Sequence, residues 1–354
     1  MAQRSEIVGI DKRRAAITLV LALLLAAGAV SLVGQVADFD EILAAVRHAD
    51  KAWFPVCLGG LLCAYAGYVL GYREVARMHL GPSLPVWTVC RIVGIGFGAN
   101  VLGSAAGGLA VDFWALHRAG ADVHDSARRV LGFNTLEWAL LGTWAALAAL
   151  VVLADGDTNA PLGMTLPWIV VVPLCIAAAA LVSAPARRGR FARVDEHGDD
   201  RSRGRLRWAW LKMKRGLADA IGGVIVVRHL VTHPRSHPWG TLGFAIYWFG
   251  HLLTLYAALR AFGVDDVHLA ALILAFATGY VATALPLPGG GSGGIEAALA
   301  FSLHAVGVAL APALLGALVY RFFTFWLPIL PALALIPSIG GLDTELGRLR
   351  ERTT

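Results

Sequence analysis

An arginine inside an apolar run calls for explanation first. Arg321 is flanked by Val319, Tyr320, Phe322 and Phe323 within the stretch Leu310–Pro337. If that run spans a bilayer, a central guanidinium costs about 2.5–3.5 kcal/mol on insertion scales, so it should face a bundle interior with a partner. The partner is a substrate phosphate or headgroup, or a carboxylate in a structural ion pair with Glu296 or Glu137; otherwise the side chain snorkels to an interface. Glu296 and Glu137 are the other ionisable residues bounded by long apolar runs. Glu296 falls in the first turn of its expected helix, where the dipole favours a carboxylate, so capping competes there with headgroup contact or proton coupling. Glu137, one turn after Asn134, forms an interior polar patch or marks a helix end near the interface.

The run Pro286-Leu287-Pro288-Gly289-Gly290-Gly291-Ser292-Gly293-Gly294 cannot continue a helix, because proline lacks a donor and glycine is costly in a helix interior. Its backbone N–H groups, ahead of a helix beginning near Ile295, can form an anion-accepting nest at a positive dipole end. A lipid phosphate suits that chemistry. The same residues also read as a tight turn for close helix approach, since Gly289/Gly293 and Gly290/Gly294 have small-xxx-small spacing.

A second glycine-rich block, Val86–Val111, holds Gly94, Gly96, Gly98, Gly103, Gly107 and Gly108 with Asn100 and Ser104. The candidate binding residues are therefore Arg321, Glu296, Gly289, Gly290, Gly291, Ser292, Gly293, Gly294, Glu137 and Asn100. No Gly-Lys-Ser/Thr phosphate loop, HExxH or paired metal carboxylates occur. His251 and His304 stand alone on apolar segments as hydrogen-bonded core residues, and Arg91 reads as a snorkelling residue. No metal or cofactor is expected.

These residues must be positioned by membrane helices. Of 354 residues, 57% are hydrophobic and 15% charged, against about 25% charged in soluble domains, and mean hydropathy is +0.66. Apolar stretches recur from end to end, which predicts an all-α polytopic membrane bundle in one domain, 1–354. The net charge of +6 lies in short segments between apolar spans, the pattern of cytoplasmic loops facing anionic lipid. Nucleic-acid binding is thereby excluded. Cys57, Cys63, Cys90 and Cys175 lie in or beside apolar runs and read as small buried hydrophobes.

A spanning helix needs about 20 apolar residues. Ala15–Val36, after Arg4, Lys12, Arg13 and Arg14, predicts a retained anchor helix and a cytoplasmic N-terminus. Ala52–Tyr72 returns inward to Arg73 and Arg77. Val86–Val111, with the basic loop Asp112–Arg129 after it, should begin and end on one side, as a broken helix or re-entrant hairpin. Val130–Leu153 and Leu166–Ala184 are ordinary spans. Arg187–Arg215 is a basic cytoplasmic loop that attracts anionic lipid or docks a partner. Gly216–Val231 lies along the inner interface or forms a short core helix, and Thr232–Pro238 is a polar bend. Trp239–Leu259, Leu269–Leu285, Ala297–Leu310 and Pro312–Pro337 follow, before a cytoplasmic tail, 338–354. Seven to nine membrane segments are expected, with Trp53, Trp168 and Trp239 in interfacial belts.

Gly107-Gly108 then Asp112, and Gly293-Gly294 then Glu296, share an order that suggests an internal repeat with broken helices at corresponding positions. The oligomeric state stays open, a homo-oligomer included.

Ala277–Pro337 resembles the transmembrane region of lysylphosphatidylglycerol synthase, a family of bacterial and archaeal membrane proteins. The carrying residues are Pro286-Leu287-Pro288-Gly289-Gly290, Gly293-Gly294-Ile295-Glu296, Ala297-Ala298-Leu299, Gly307-Val308, Leu318-Val319-Tyr320-Arg321-Phe322 and Phe325-Trp326-Leu327-Pro328. Asn100–Gly120 is similar to the family's first glycine-rich segment, although Gly103–Asp112 replaces its usual proline, acid and arginine. The resemblance implies a lipid flippase in the plasma (inner) membrane for a phosphate-bearing or aminoacylated lipid, without the aminoacyl-transferase domain of the best-known members. An integral enzyme acting on headgroups, with Glu296 as base, or a membrane subunit for a partner enzyme, are the alternatives.

Overall fold

The computed structural model describes residues 44–78, 81–103, 105–156, 160–184, 205–284 and 293–353. Every regular element among them is helical, as expected where backbone groups have no water to bond. After a short 3-10 turn, α1 runs Phe54–Ala76, α2 Val86–Gly103, α3 Ala105–Arg118, α4 Val123–Asp155, α5 Leu162–Val182 and α6 Arg205–Thr232. Then come α7 Pro238–Ala261, α8 Leu269–Tyr280, α9 Gly294–Ala305, α10 Leu310–Arg321, α11 Ile329–Leu335 and α12 Ile339–Thr353. Five stretches of the described residues are long and apolar enough to cross a membrane: Lys51–Ala76, Val123–Asp155, Leu162–Val182, Pro238–Ala261 and Leu310–Glu351. Leu269–Ala284 is a shorter apolar helix. The chain is a multi-pass helical membrane protein; the expected anchor Ala15–Val36, residues 185–204 of the basic loop and the turn 285–292 lie outside the described residues.

The most extensive helix contact joins α1 and α7. It is a backbone-to-backbone approach: a methyl on Gly67 would sit 2.5 Å from the Gly243 carbonyl oxygen, and one on Gly250 would sit 2.5 Å from that of Gly60. With lipid as apolar as the side chains, small residues that allow such approach drive packing. Thr254 ties the seam further, its hydroxyl donating to the Gly250 carbonyl at 2.9 Å and the Cys57 carbonyl at 3.3 Å. Around this seam lie two cores. One collects α7–α10 and the later half of α4, with Trp248, Phe276 and Tyr320 at its centre. The other collects α2, α3, the start of α4 and α12 around Phe133, Phe244 and Ile92.

Helix α4 starts where the Asp122 carboxylate accepts the His124 N–H at 3.1 Å, and stops at Gly156 with φ 65°. α5 has only 6% of its apolar span buried, so its surface is left for lipid. Cys175 on this helix is exposed, correcting its expected burial; the Trp168 indole donates to the Thr278 hydroxyl, 3.0 Å away.

Other expectations change as well. Asp112, expected in a loop, belongs to α3, which packs antiparallel on α2 as a helical hairpin. Gly216–Val231, in place of a short core helix, is the later part of a 28-residue helix packed on α4. Residues 339–353 of the tail form α12, whose Leu342 and Leu346 are fully buried in the second core. Its Glu345 bonds Arg91 at 2.9 Å and the Thr88 hydroxyl, and its Asp343 bonds Arg118 at 2.6 Å. Arg91 is thus an ion-pairing residue rather than a snorkelling one.

Candidate functional site

Arg321 is the last residue of α10, where the helix loosens into a π turn over Phe322–Trp326. The Leu327 N–H reaches back five residues to the Phe322 carbonyl at 2.8 Å. Pro328 has no N–H to continue the regular ladder, and such wide turns often stand at functional positions. The Arg321 Nε donates to Glu296 Oε1 at 3.2 Å, with the two side chains only 8% and 1% exposed. The guanidinium carbon lies 4.1 Å from the centre of the Phe325 ring, a cation–π contact.

Glu296 serves both as the cap expected at its position and as the ion-pair partner of Arg321. Its Oε2 accepts the Gly293 N–H at 2.7 Å, capping α9. Gly293 has φ 85°, which a residue with a Cβ adopts only under strain. Glu296 therefore ties the end of the glycine-rich turn to the charge on α10. Of the sequence candidates, the structure brings together Arg321, Glu296 and Gly293, with Gly294 opening α9; Gly289, Gly290, Gly291 and Ser292 lie outside the described residues.

Glu137 and Asn100 are placed elsewhere. Glu137 is in the interior of α4, buried, with the Tyr247 side chain beside its carboxylate. This corrects the helix-end reading, and the arginine's ion pair goes to Glu296 instead. Asn100 Oδ1 accepts the Gly108 N–H at 2.8 Å, so it clasps the α2–α3 hairpin shut.

A polar network joins these places. His251 Nδ1 lies 2.7 Å from the Tyr320 hydroxyl, one residue before Arg321. His251 stacks edge-on with Tyr247, ring centres 4.5 Å apart, and Tyr247 faces Tyr68 at 5.4 Å. The Trp248 indole donates to the Glu137 carbonyl at 2.8 Å, and the Tyr72 hydroxyl donates to the Asp112 carbonyl at 3.3 Å. Tyr280 lies in the fields of both Glu137 and Arg321. Sequence reasoning missed Asp112 and this tyrosine ladder. The signal was available: Tyr68/Tyr72 and Tyr247/His251 are four apart, which places each pair on one helix face.

Both glycine pairs open short helices that carry a buried acid, Asp112 on α3 and Glu296 on α9. His304 bonds the Val308 carbonyl at 2.9 Å. Among the described residues no three side chains are grouped to hold a metal ion.

The family model for the lysylphosphatidylglycerol synthase transmembrane region matches residues 19–332. No curated protein matches the chain. The matched span takes in the α2–α3 hairpin, the buried Glu296–Arg321 pair and the π turn, so the chain belongs to the lysylphosphatidylglycerol synthase transmembrane-region family, a membrane protein linked to the handling of lipid headgroups.

Proposed function

We propose that this protein is a translocase that moves a phosphate-bearing or aminoacylated lipid between leaflets. The buried Glu296–Arg321 pair carries the reading. A lone guanidinium would be costly in the bundle, and Glu296 neutralises it while no lipid is bound. A headgroup phosphate presents the same charge and a geometry that a guanidinium grips with two parallel bonds. It can replace the carboxylate without leaving the guanidinium bare at any stage. The freed Glu296 then suits an ammonium group, such as the amine of an aminoacylated headgroup. The glycine-rich segment 286–294, with Gly289, Gly290, Gly291 and Ser292, would offer N–H groups to the same phosphate.

A base role for Glu296 in an enzyme is less supported, since both its oxygens are already engaged.

The ends of the bundle support one orientation. At one pole Arg129 bonds the Val75 and Ala76 carbonyls, His237 bonds Glu74, Arg128 and His124 meet Asp219, and Arg118 meets Asp343. At the other pole stand Asp50, Arg260 with Asp265, and His268 with Asp155. Base-rich ends belong inside, which supports a cytoplasmic first pole, a plasma-membrane location and anionic lipid around the basic loop. The hairpin α2–α3 then enters and leaves from that side as a re-entrant element, its 18 and 14 residues rising about 27 and 21 Å.

The test is movement of labelled phosphatidylglycerol and its lysylated form in sealed vesicles carrying the purified protein. Wild type should move label, Arg321→Ala should lose at least about tenfold in rate, and Arg321→Lys should retain part, having charge without the planar fork. Equal rates for folded wild type and Arg321→Ala would overturn the assignment of the site.

A further inference from the structure

Two carboxylic acids lie inside the bundle with no cation bonded to them among the described residues. Asp112 on α3 is 4% exposed, and no hydrogen bond or ion pair reaches its carboxylate from those residues. Glu137 on α4, 8% exposed, has the Tyr247 side chain beside it and lies within electrostatic reach of Asp112. Tyr68 lies in the field of both.

Tyr68 and Tyr72 from α1, Tyr247 from α7 and Tyr280 from α8 lie in the fields of this pair, and His251 from α7 with Tyr320 and Arg321 from α10 stand one contact further out. Asn100 on α2 is uncharged and taken up by Gly108. Arg321 is the one fixed cation among them, and Glu296 on α9 already neutralises it. Two bare carboxylates there would each cost several kcal/mol with nothing to offset it.

We propose that Asp112 and Glu137 together bind a proton that is exchanged as the lipid crosses, making translocation proton-coupled; this rests on the translocase reading above. The charge balance is simple. A phosphate arriving at Arg321 displaces Glu296 and adds one negative charge to the network. At rest the acid pair shares one proton; a second, taken from hydronium, forms an O–H bond on the ionised member and returns the network to its resting charge, and that bond breaks when the headgroup leaves. Tyr280, in the fields of both Glu137 and Arg321, connects the two sites electrically.

The mechanical link is the hairpin. The Asp112 carboxylate faces α2 at Gly96, where an added methyl would still lie 3.9 Å from Oδ1. α2 and α3 meet there without large side chains, and a small slide of the hairpin would open Asp112 to water.

The experiment uses the full chain in sealed vesicles of phosphatidylethanolamine and phosphatidylglycerol with tracer labelled phosphatidylglycerol and an imposed pH difference. With one proton per lipid, a one-unit difference should sustain up to about a tenfold tracer ratio between leaflets, tenfold being the free energy of one pH unit. Asp112→Asn should let the tracer equilibrate while abolishing the effect of the gradient, and Asp112→Glu should restore it. Arg321→Ala should stop movement altogether. Tracer movement indifferent to pH, or responding to a sodium gradient instead, would overturn the proton coupling and leave the translocase standing.

Infrared spectra give a readout independent of lipid. The band of a protonated carboxyl group should be present in wild type and lost in Asp112→Asn or Glu137→Gln. No lost band in either folded variant would overturn the proton site. A wild type that moves no tracer, yet has the band, would overturn the coupling and the translocase reading for that lipid while upholding the site.

Discussion

The Glu296 carboxylate holds the Arg321 guanidinium at 3.2 Å through one oxygen while its other oxygen takes the Gly293 N–H at 2.7 Å. One side chain thus closes both a charge and a helix start, and removing either partner has unequal consequences.

Breaking a buried pair by deleting one member costs about 3–5 kcal/mol, because the other is left charged without a counter-ion. Arg321→Gln alone should therefore lower stability sharply. The double change Arg321→Gln with Glu296→Gln should be less damaging than Arg321→Gln, since no buried charge remains and the new amide oxygen can still accept from Gly293. Thermal melts in detergent of both singles and the double close the cycle. Additive losses would mean that the two residues do not act as a pair.

The α1–α7 seam predicts a contrast between neighbouring glycines. A methyl at Gly67 meets the Gly243 carbonyl oxygen at 2.5 Å, whereas one at Gly59 meets nothing within 4 Å. Gly67→Ala should cost about 1–3 kcal/mol through overpacking. Gly59→Ala should be neutral or slightly stabilising, since alanine is the better helix former by about 1 kcal/mol. Unfolding in mixed detergent would measure both, and equal effects would refute the seam.

For α12, the buried leucines should outweigh the ion pairs. Leu346→Ala should cost about 2–5 kcal/mol and raise hydrogen exchange along Ile339–Thr353. Asp343→Asn removes a pair whose side chains are both more than a third exposed, so its cost should stay under about 1 kcal/mol and shrink with salt. Exchange that rises more for Asp343→Asn than for Leu346→Ala would show that charge holds the helix down.

Cys175 offers a test of which face of α5 meets lipid. A nitroxide attached there should collide readily with oxygen, which partitions into the bilayer, and poorly with a water-soluble nickel chelate. The opposite ranking would place α5 against water or a partner.

Much of the architecture is legible in the residue order. Arg321, Glu296 and the run 286–294 stand out because a charge or a helix breaker inside an apolar stretch has few stable positions. The family resemblance rests on the same residues, and the matched region extends well beyond them. Asp112 reads as part of a loop because Arg118, Arg128 and Arg129 follow it closely, and linear charge density cannot show that a helix runs on to Arg118. The tail misleads for a similar reason: Leu342, Leu346 and Leu349 alternate with charges, and their common face is apparent only once the hairpin supplies a surface to bury it.

What the sequence by itself determined is the class of molecule and the residues in need of partners. Hydropathy and charge act locally, so twenty apolar residues or a run of arginines declare their surroundings without reference to the rest of the chain. Only the tertiary structure decided who the partners are. It joined Arg321 to Glu296 rather than to Glu137, set Glu137 against Tyr247, left Asp112 without a counter-charge among the described residues, and sent Asn100 to Gly108. Those pairings join positions on different helices, and the helix crossings that bring them within hydrogen-bond reach are set by backbone contacts at glycines such as Gly67 and Gly243, whose meeting no local pattern encodes.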